Sequence, residues 1–118
     1  MKVLLVDDEE EMVSALSERL SLRGIETDCV LSGVDAVKRV LGNRYDVVIL
    51  DVKMPGMNGL ETLEKIQEIQ PEAKIIFLTG HGSVADCEAG KNAGACFYLM
   101  KPVDIDVLIE SMNGALEK

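Results

Sequence analysis

Five side chains able to do phosphoryl or metal chemistry follow short apolar runs: Asp7 and Asp8 after "VLLV" at 3–6, Asp51 after "VVIL" at 47–50, Thr79 after "IIFL" at 75–78, and Lys101 after "CFYLM" at 96–100. A carboxylate at the end of Val47, Val48, Ile49 and Leu50 is unusual, because burying it unpaired costs several kcal/mol or makes it take up a proton. Three acids gathered at one edge also repel one another, and a hard divalent cation with oxygen ligands is their natural counter-charge. Magnesium (Mg²⁺) takes one or two carboxylates, keeps several waters and binds phosphate oxygens too. Beside such an ion Asp51 is suited to act as a nucleophile on phosphorus and form an acyl phosphate. The cation and Lys101 would neutralise the equatorial oxygens, and Thr79 would add a hydroxyl donor. Taken singly, each residue has a structural role open to it. Asp7 and Asp8 suit the N-cap and first turn of a helix beginning near Glu9, Thr79 suits a strand end, and Lys101 suits a solvated surface. It is their joint position after strand-like runs that favours chemistry.

The elements that must position these residues are legible from periodicity. Helix-length stretches separate the runs and carry apolar residues every three or four positions: Met12, Leu16 and Leu20; Val34, Val37, Val40 and Leu41; Leu60, Leu63, Ile66 and Ile69; Ile105, Leu108, Ile109, Met112 and Leu116. In "IETDCV" at 25–30, Ile25, Thr27 and Cys29 alternate with Glu26 and Asp28, the pattern of a sheet-edge strand with one wet face. Gly24, Ser32, Asn58, Pro71 and Ser83 punctuate the segments. Pro55 and Gly56 suit a tight turn, and Gly59 offers freedom where the chain re-enters a helix. Five strands alternating with five helices imply a parallel α/β sheet covered on both faces, with ligands bound beyond the carboxyl ends of the strands.

Taken in this order and spacing, "LLVDDE" at 4–9, "ILDVKMPGMNGLE" at 49–61, "LTGHG" at 78–82 and "YLMKP" at 98–102 resemble the receiver domain of bacterial two-component response regulators. The likeness is to chemotaxis-regulator-like receivers and covers essentially all 118 residues. It implies a flavodoxin-like, doubly wound five-stranded sheet of order 2-1-3-4-5. It also implies that Asp51 is the phosphoacceptor, Thr79 the switch hydroxyl, Lys101 the phosphate-pairing cation and Tyr98 the switch aromatic. Asp8, Asp51 and the backbone carbonyl of Lys53 would contact Mg²⁺, or Mn²⁺ as an alternative, with Asp7 acting mainly through water. A cis bond between Lys101 and Pro102 is part of the same pattern. Lys53 and His81 would project beside the phosphorylation site, His81 as a rim residue that modulates water access. The implied partners are a sensor histidine kinase or histidine phosphotransfer protein, a downstream effector or output domain, and a second copy in a phosphorylation-dependent homodimer. The readout surface would be the fourth helix, fifth strand and fifth helix. Gly90, Asn92 and Gly94 suggest that the fourth helix is soft, while Glu88 and Lys91 bring charge to its face.

Bulk composition narrows the field. A chain of 118 residues fits one domain, here 1–118, and 47% hydrophobic with 28% charged residues is ordinary for a globular fold. Apolar runs of four or five residues span no membrane, and Met1 and Lys2 lead directly into a strand without a secretory leader. The formal charge of −9 argues against direct nucleic-acid contact. Cys29, Cys87 and Cys96 have no metal-type spacing and suit reduced, packed thiols in a cytoplasm. The alternative is a haloacid-dehalogenase-like aspartyl phosphohydrolase, weakened because Lys53 stands where such enzymes place a second Asp. A flavodoxin-like flavin carrier fits less well, since "VDDEE" would repel the cofactor's phosphate.

Overall fold

The apolar runs pair into one parallel sheet ordered β2–β1–β3–β4–β5, the order that the family resemblance implied. The computed structural model describes residues 1–52, 54, 56–80 and 84–117, with residues 84–87 given by their backbone. Strands β1 (Lys2–Val6), β2 (Glu26–Val30), β3 (Val47–Leu50), β4 (Lys74–Thr79) and β5 (Phe97–Met100) alternate with helices α1 (Glu10–Leu22), α2 (Gly33–Gly42), α3 (Gly59–Ile69), α4 (Val84–Ala93) and α5 (Ile105–Leu116).

Successive strand residues point to opposite faces, so the sheet divides the core in two. Val3, Leu5, Val47, Ile49, Ile76 and Leu78 pack with Val13, Leu16, Leu20, Leu108 and Met112 of α1 and α5. Leu4, Val6, Val48, Leu50, Ile75 and Phe77 pack with Ala36, Val40, Leu63 and Ile66 of α2 and α3. Every residue of β3 is buried, which is why its sequence shows no polar alternation. β2 lies at the edge, with Glu26 exposed and Thr27, Asp28 and Cys29 half-buried. Beneath that edge the buried Tyr45 hydroxyl donates to Asp28 Oδ2 at 2.7 Å. Burial, together with the neighbouring Asp28 carboxylate, pushes the phenol pKa up to about 12.

Two of the expected helix starts are capped as read: Ser32 Oγ accepts from the Asp35 amide at 3.1 Å and Asn58 Oδ1 from the Glu61 amide at 3.0 Å. Asp104 caps α5 by accepting from the Asp106 amide at 2.8 Å. The Ser83 and Pro55 assignments lie outside the described residues. Gln70 ties down the segment before β3, donating to the Val40 and Asn43 carbonyls and accepting from the Tyr45 amide at 3.0 Å.

The buried faces of the helices differ from the expected ones by about one residue. In α2 the inward residues are Gly33, Ala36 and Val40, whereas Val34 and Leu41 are 47% and 68% exposed. The cause is the close approach of α2 to α3: a Cβ on Gly33 would strike Thr62 Oγ1, so small residues must face the contact. In α1 Val13 is buried and Met12 only half-buried; in α5 Ala115 is buried and Leu116 is 42% exposed. Cys29 and Cys96 are half-buried thiols rather than fully packed ones, and the Cys87 side chain lies outside the described residues. No helix among the described residues is long and apolar enough to cross a membrane.

Candidate functional site

Asp7 and Asp51 are the next residues after paired strands whose last partners are Val6 and Leu50. Their amides continue the ladder, Asp51 donating to the Val6 carbonyl at 3.0 Å and Asp7 to the Val30 carbonyl at 3.3 Å. Strand alternation directs both to the face covered by α1 and α5. Both are nearly buried, at 2% and 5% exposure, while Asp8 beside them is exposed. One carboxylate oxygen from each of Asp7, Asp8 and Asp51 lies within 4.8 Å of the others.

Gly59 lets the next helix begin against this group. A Cβ there would collide with the Asp51 carbonyl and Val52 Cα, and the Gly59 amide donates to the Val52 carbonyl at 2.9 Å. The sequence reading of Gly59 as a source of backbone freedom is therefore corrected. Its φ is not in the left-handed region, and what the site requires is the absence of a side chain. Gly56 does adopt φ +76°, as its turn demands.

Lys101 arrives from the far strand. Its amide donates to the Thr79 carbonyl at 2.8 Å, and the Lys101–Pro102 bond is cis. Its ammonium lies 2.5 Å from Asp7 Oδ2, 2.8 Å from Glu9 Oε1 and 3.6 Å from Asp51 Oδ2. Burial alone would lower the lysine pKa, but hydrogen bonds to Asp7 and Glu9 and the Asp51 charge outweigh it, so the pKa is raised. Burial raises the Asp7 carboxyl pKa despite Lys101 and the Glu9 amide, and Asp51 adds to the rise. The ammonium thus faces the carboxylates of Asp7, Glu9 and Asp51, and the acidic cluster that Asp8 completes offers only oxygen donors, which fits a hard divalent cation.

Asp7 also accepts from the Glu9 amide at 3.0 Å, so its structural and site roles coincide. Glu9 occupies the N-cap position of α1 with no side-chain cap bond, its carboxylate turned to Lys101. The sequence reading saw Glu9 only as the start of a helix; nothing local distinguishes it from an ordinary first-turn acid.

Thr79 is fully buried at the end of β4. By alternation it shares the opposite sheet face with Phe77, whose register partner is Tyr98. Tyr98 is half-buried and meets the Phe77 ring edge-on, with centroids 6.0 Å apart and planes at 65°. Gly90 of α4 is buried on the Phe77 ring: a Cβ there would lie 2.7 Å from Phe77 and 3.7 Å from Tyr98. Lys53 and His81, expected beside the site, lie outside the described residues.

An acidic group and a lysine at the carboxyl edge of a doubly wound 2-1-3-4-5 sheet define a signalling receiver. The chain belongs to the response regulator receiver domain family, whose model matches residues 3–113, and it is a receiver domain of two-component signalling. It is 35% identical over 116 residues to the transcriptional regulatory protein GlrR of Escherichia coli K12, covering 98% of this chain but 26% of GlrR. A CheY-like receiver domain protein from Methanospirillum hungatei superposes with TM-score 0.94 at 29% identity, covering 98% of this chain and 93% of that one. A Burkholderia pseudomallei response regulator solved with a phosphorylated aspartic acid, a calcium ion and citrate superposes at 0.90 with 25% identity, over 94% of this chain and 65% of that one. The chain thus spans about a quarter of the length of GlrR. These findings give no support to the haloacid-dehalogenase-like alternative.

Proposed function

We propose that residues 1–118 form one receiver domain that accepts a phosphoryl group onto Asp51 from a phosphohistidine and converts it into a change of surface. The observation that carries this reading is the nearly buried Asp51 carboxylate among Asp7 and Asp8, with the Lys101 ammonium 3.6 Å away. An Asp51 oxygen attacks phosphorus as the bond from phosphorus to the donor's imidazole nitrogen breaks. The imidazole leaves with that electron pair and regains a proton from solvent. Asp8, Asp51 and the Lys53 carbonyl, backed by Asp7, are the groups to hold Mg²⁺, with Mn²⁺ as the alternative, and when bound the ion supplies neutralising charge to the phosphoryl oxygens. Lys101 pairs with one of those oxygens and the Thr79 hydroxyl donates to another. The phosphorylated aspartic acid and calcium ion of the Burkholderia protein support the same reading.

A groove of about 490 Å³ opens beside Lys101, lined by Met12, Ala15, Leu16 and Arg19 of α1 and by Pro102 and Val103. We read it as the seat of the phosphodonor, a sensor histidine kinase or histidine phosphotransfer protein. On the output side, Thr79 drawn toward the phosphoryl group leaves room for Tyr98 to turn inward, and α4, seated on Phe77 through Gly90, moves with it. The surface of α4, β5 and α5, where Met100 and Val107 are 49% and 47% exposed, would then engage an output domain, an effector or a second phosphorylated copy. A cytoplasmic setting and a reaction limited to the domain's own phosphorylation and dephosphorylation complete the reading.

Incubation with acetyl phosphate and Mg²⁺ followed by intact mass measurement tests it. One phosphoryl group should be added to the wild type and none to Asp51→Asn. Rapid turnover of general phosphate esters without a stable adduct would contradict it.

A further inference from the structure

We propose that Glu9 is a positioning residue that holds the Lys101 ammonium in a resting contact, which an anion arriving at Asp51 must displace. This inference rests on the reading of Asp51 as phosphoacceptor. Of the three carboxylates around Lys101 Nζ, Asp7 at 2.5 Å and Glu9 at 2.8 Å are within hydrogen-bond distance, whereas Asp51 at 3.6 Å is not. The hydrogen bonds of the ammonium are thus spent away from the nucleophile. The two acids that hold it differ in kind. Asp7 is nearly buried, is fixed by the Glu9 amide and cannot withdraw; the Glu9 side chain is 59% exposed and can. Its backbone is fixed by that same amide bond, so its reach to Lys101 is set by side-chain length, and an aspartate would fall one methylene short.

When phosphoryl oxygens appear on Asp51, Lys101 must redirect a donor to them, and the exposed Glu9 contact is the one to release. Glu9 therefore competes with the bound anion and biases the domain toward its resting state. A residue that merely supported the fold would weaken anion binding when replaced; a competitor strengthens it.

The test is a titration of the full chain with beryllofluoride at saturating Mg²⁺, followed by amide NMR, on the wild type, Glu9→Gln and Glu9→Asp, with Mg²⁺ affinity measured separately. Glu9→Gln keeps the size and drops the charge; Glu9→Asp keeps the charge and shortens the reach. Both variants should bind beryllofluoride about threefold more tightly, the scale of one exposed ion pair. Mg²⁺ affinity should fall in Glu9→Gln and stay near wild type in Glu9→Asp. Unchanged or weaker beryllofluoride binding in Glu9→Asp, with the wild type binding normally, overturns the role of Glu9 alone. A wild type that binds no beryllofluoride overturns the phosphoacceptor reading with it.

Discussion

Asp7 is nearly buried beside Asp51, and that burial raises its carboxyl pKa. An acid whose pKa is higher folded than unfolded destabilises the fold at neutral pH, where it must ionise. Asp7→Asn should therefore raise the stability of the protein in chelator, read as a higher midpoint of urea unfolding, although Lys101 loses a partner. Tyr45 gives the opposite end of the pH scale. Its phenol pKa is raised to about 12, so as pH climbs from about 10 the unfolded chain ionises first and stability falls until the folded pKa is reached. Tyr45→Phe should flatten that decline in melts taken from about pH 9 to about pH 12. Most of the site was readable residue by residue, because Asp7, Asp51 and Lys101 follow directly on strand runs and Thr79 closes one. Glu9 was not, since its partner Lys101 is 92 positions away and an acid at a helix start has an ordinary explanation nearby.

Among the elements, α4 is where sequence and structure together say most. Gly90 read as a helix-softening residue, and it is also a spacer: a Cβ there would stand 2.7 Å from the ring of Phe77, which is wholly buried and cannot yield. Alanine would gain about 1 kcal/mol of helix propensity but suffer about 1–3 kcal/mol of overpacking. Gly90→Ala should therefore be net destabilising in urea unfolding, whereas a site governed by propensity would be stabilised. Hydrogen exchange should show the amides of α4 opening more readily than those of β3 and β4, as expected for a short helix with an interior glycine. Periodicity marked the strands and four of the five helices, with α4 placed by the strand–helix alternation, but it missed the inward face of α2, where Gly33 and Ala36 are buried and Val34 and Leu41 are not. The apolar pattern reports which side chains would favour burial, whereas the spacing of α2 from α3 decides which ones fit.

At the scale of the whole molecule, a formal charge of −9 and three carboxylate oxygens within 4.8 Å of one another leave a metal-free fold short of its full stability. Mg²⁺ at ten times its dissociation constant should add about 1.4 kcal/mol by linkage, or about 5 °C in Tm for a chain of this size. Asp51→Asn should lose most of that rise in calorimetry. The parallel sheet followed from the alternation of strands and helices, whereas its strand order came only with the family resemblance. What stayed hidden in the sequence was the meeting of distant side chains, such as Gly90 on Phe77 and Glu9 on Lys101, which only the closed sheet brings about. The central claim is that this closure makes Asp51, alone among the gathered acids, the acceptor of a phosphoryl group. Borohydride converts an aspartyl phosphate to homoserine, so peptide mass mapping after treatment with acetyl phosphate, Mg²⁺ and borohydride locates the acceptor directly. Homoserine at position 51 and at neither 7 nor 8 is the expected result; homoserine at Asp7 or Asp8, or at no aspartate, would contradict the account.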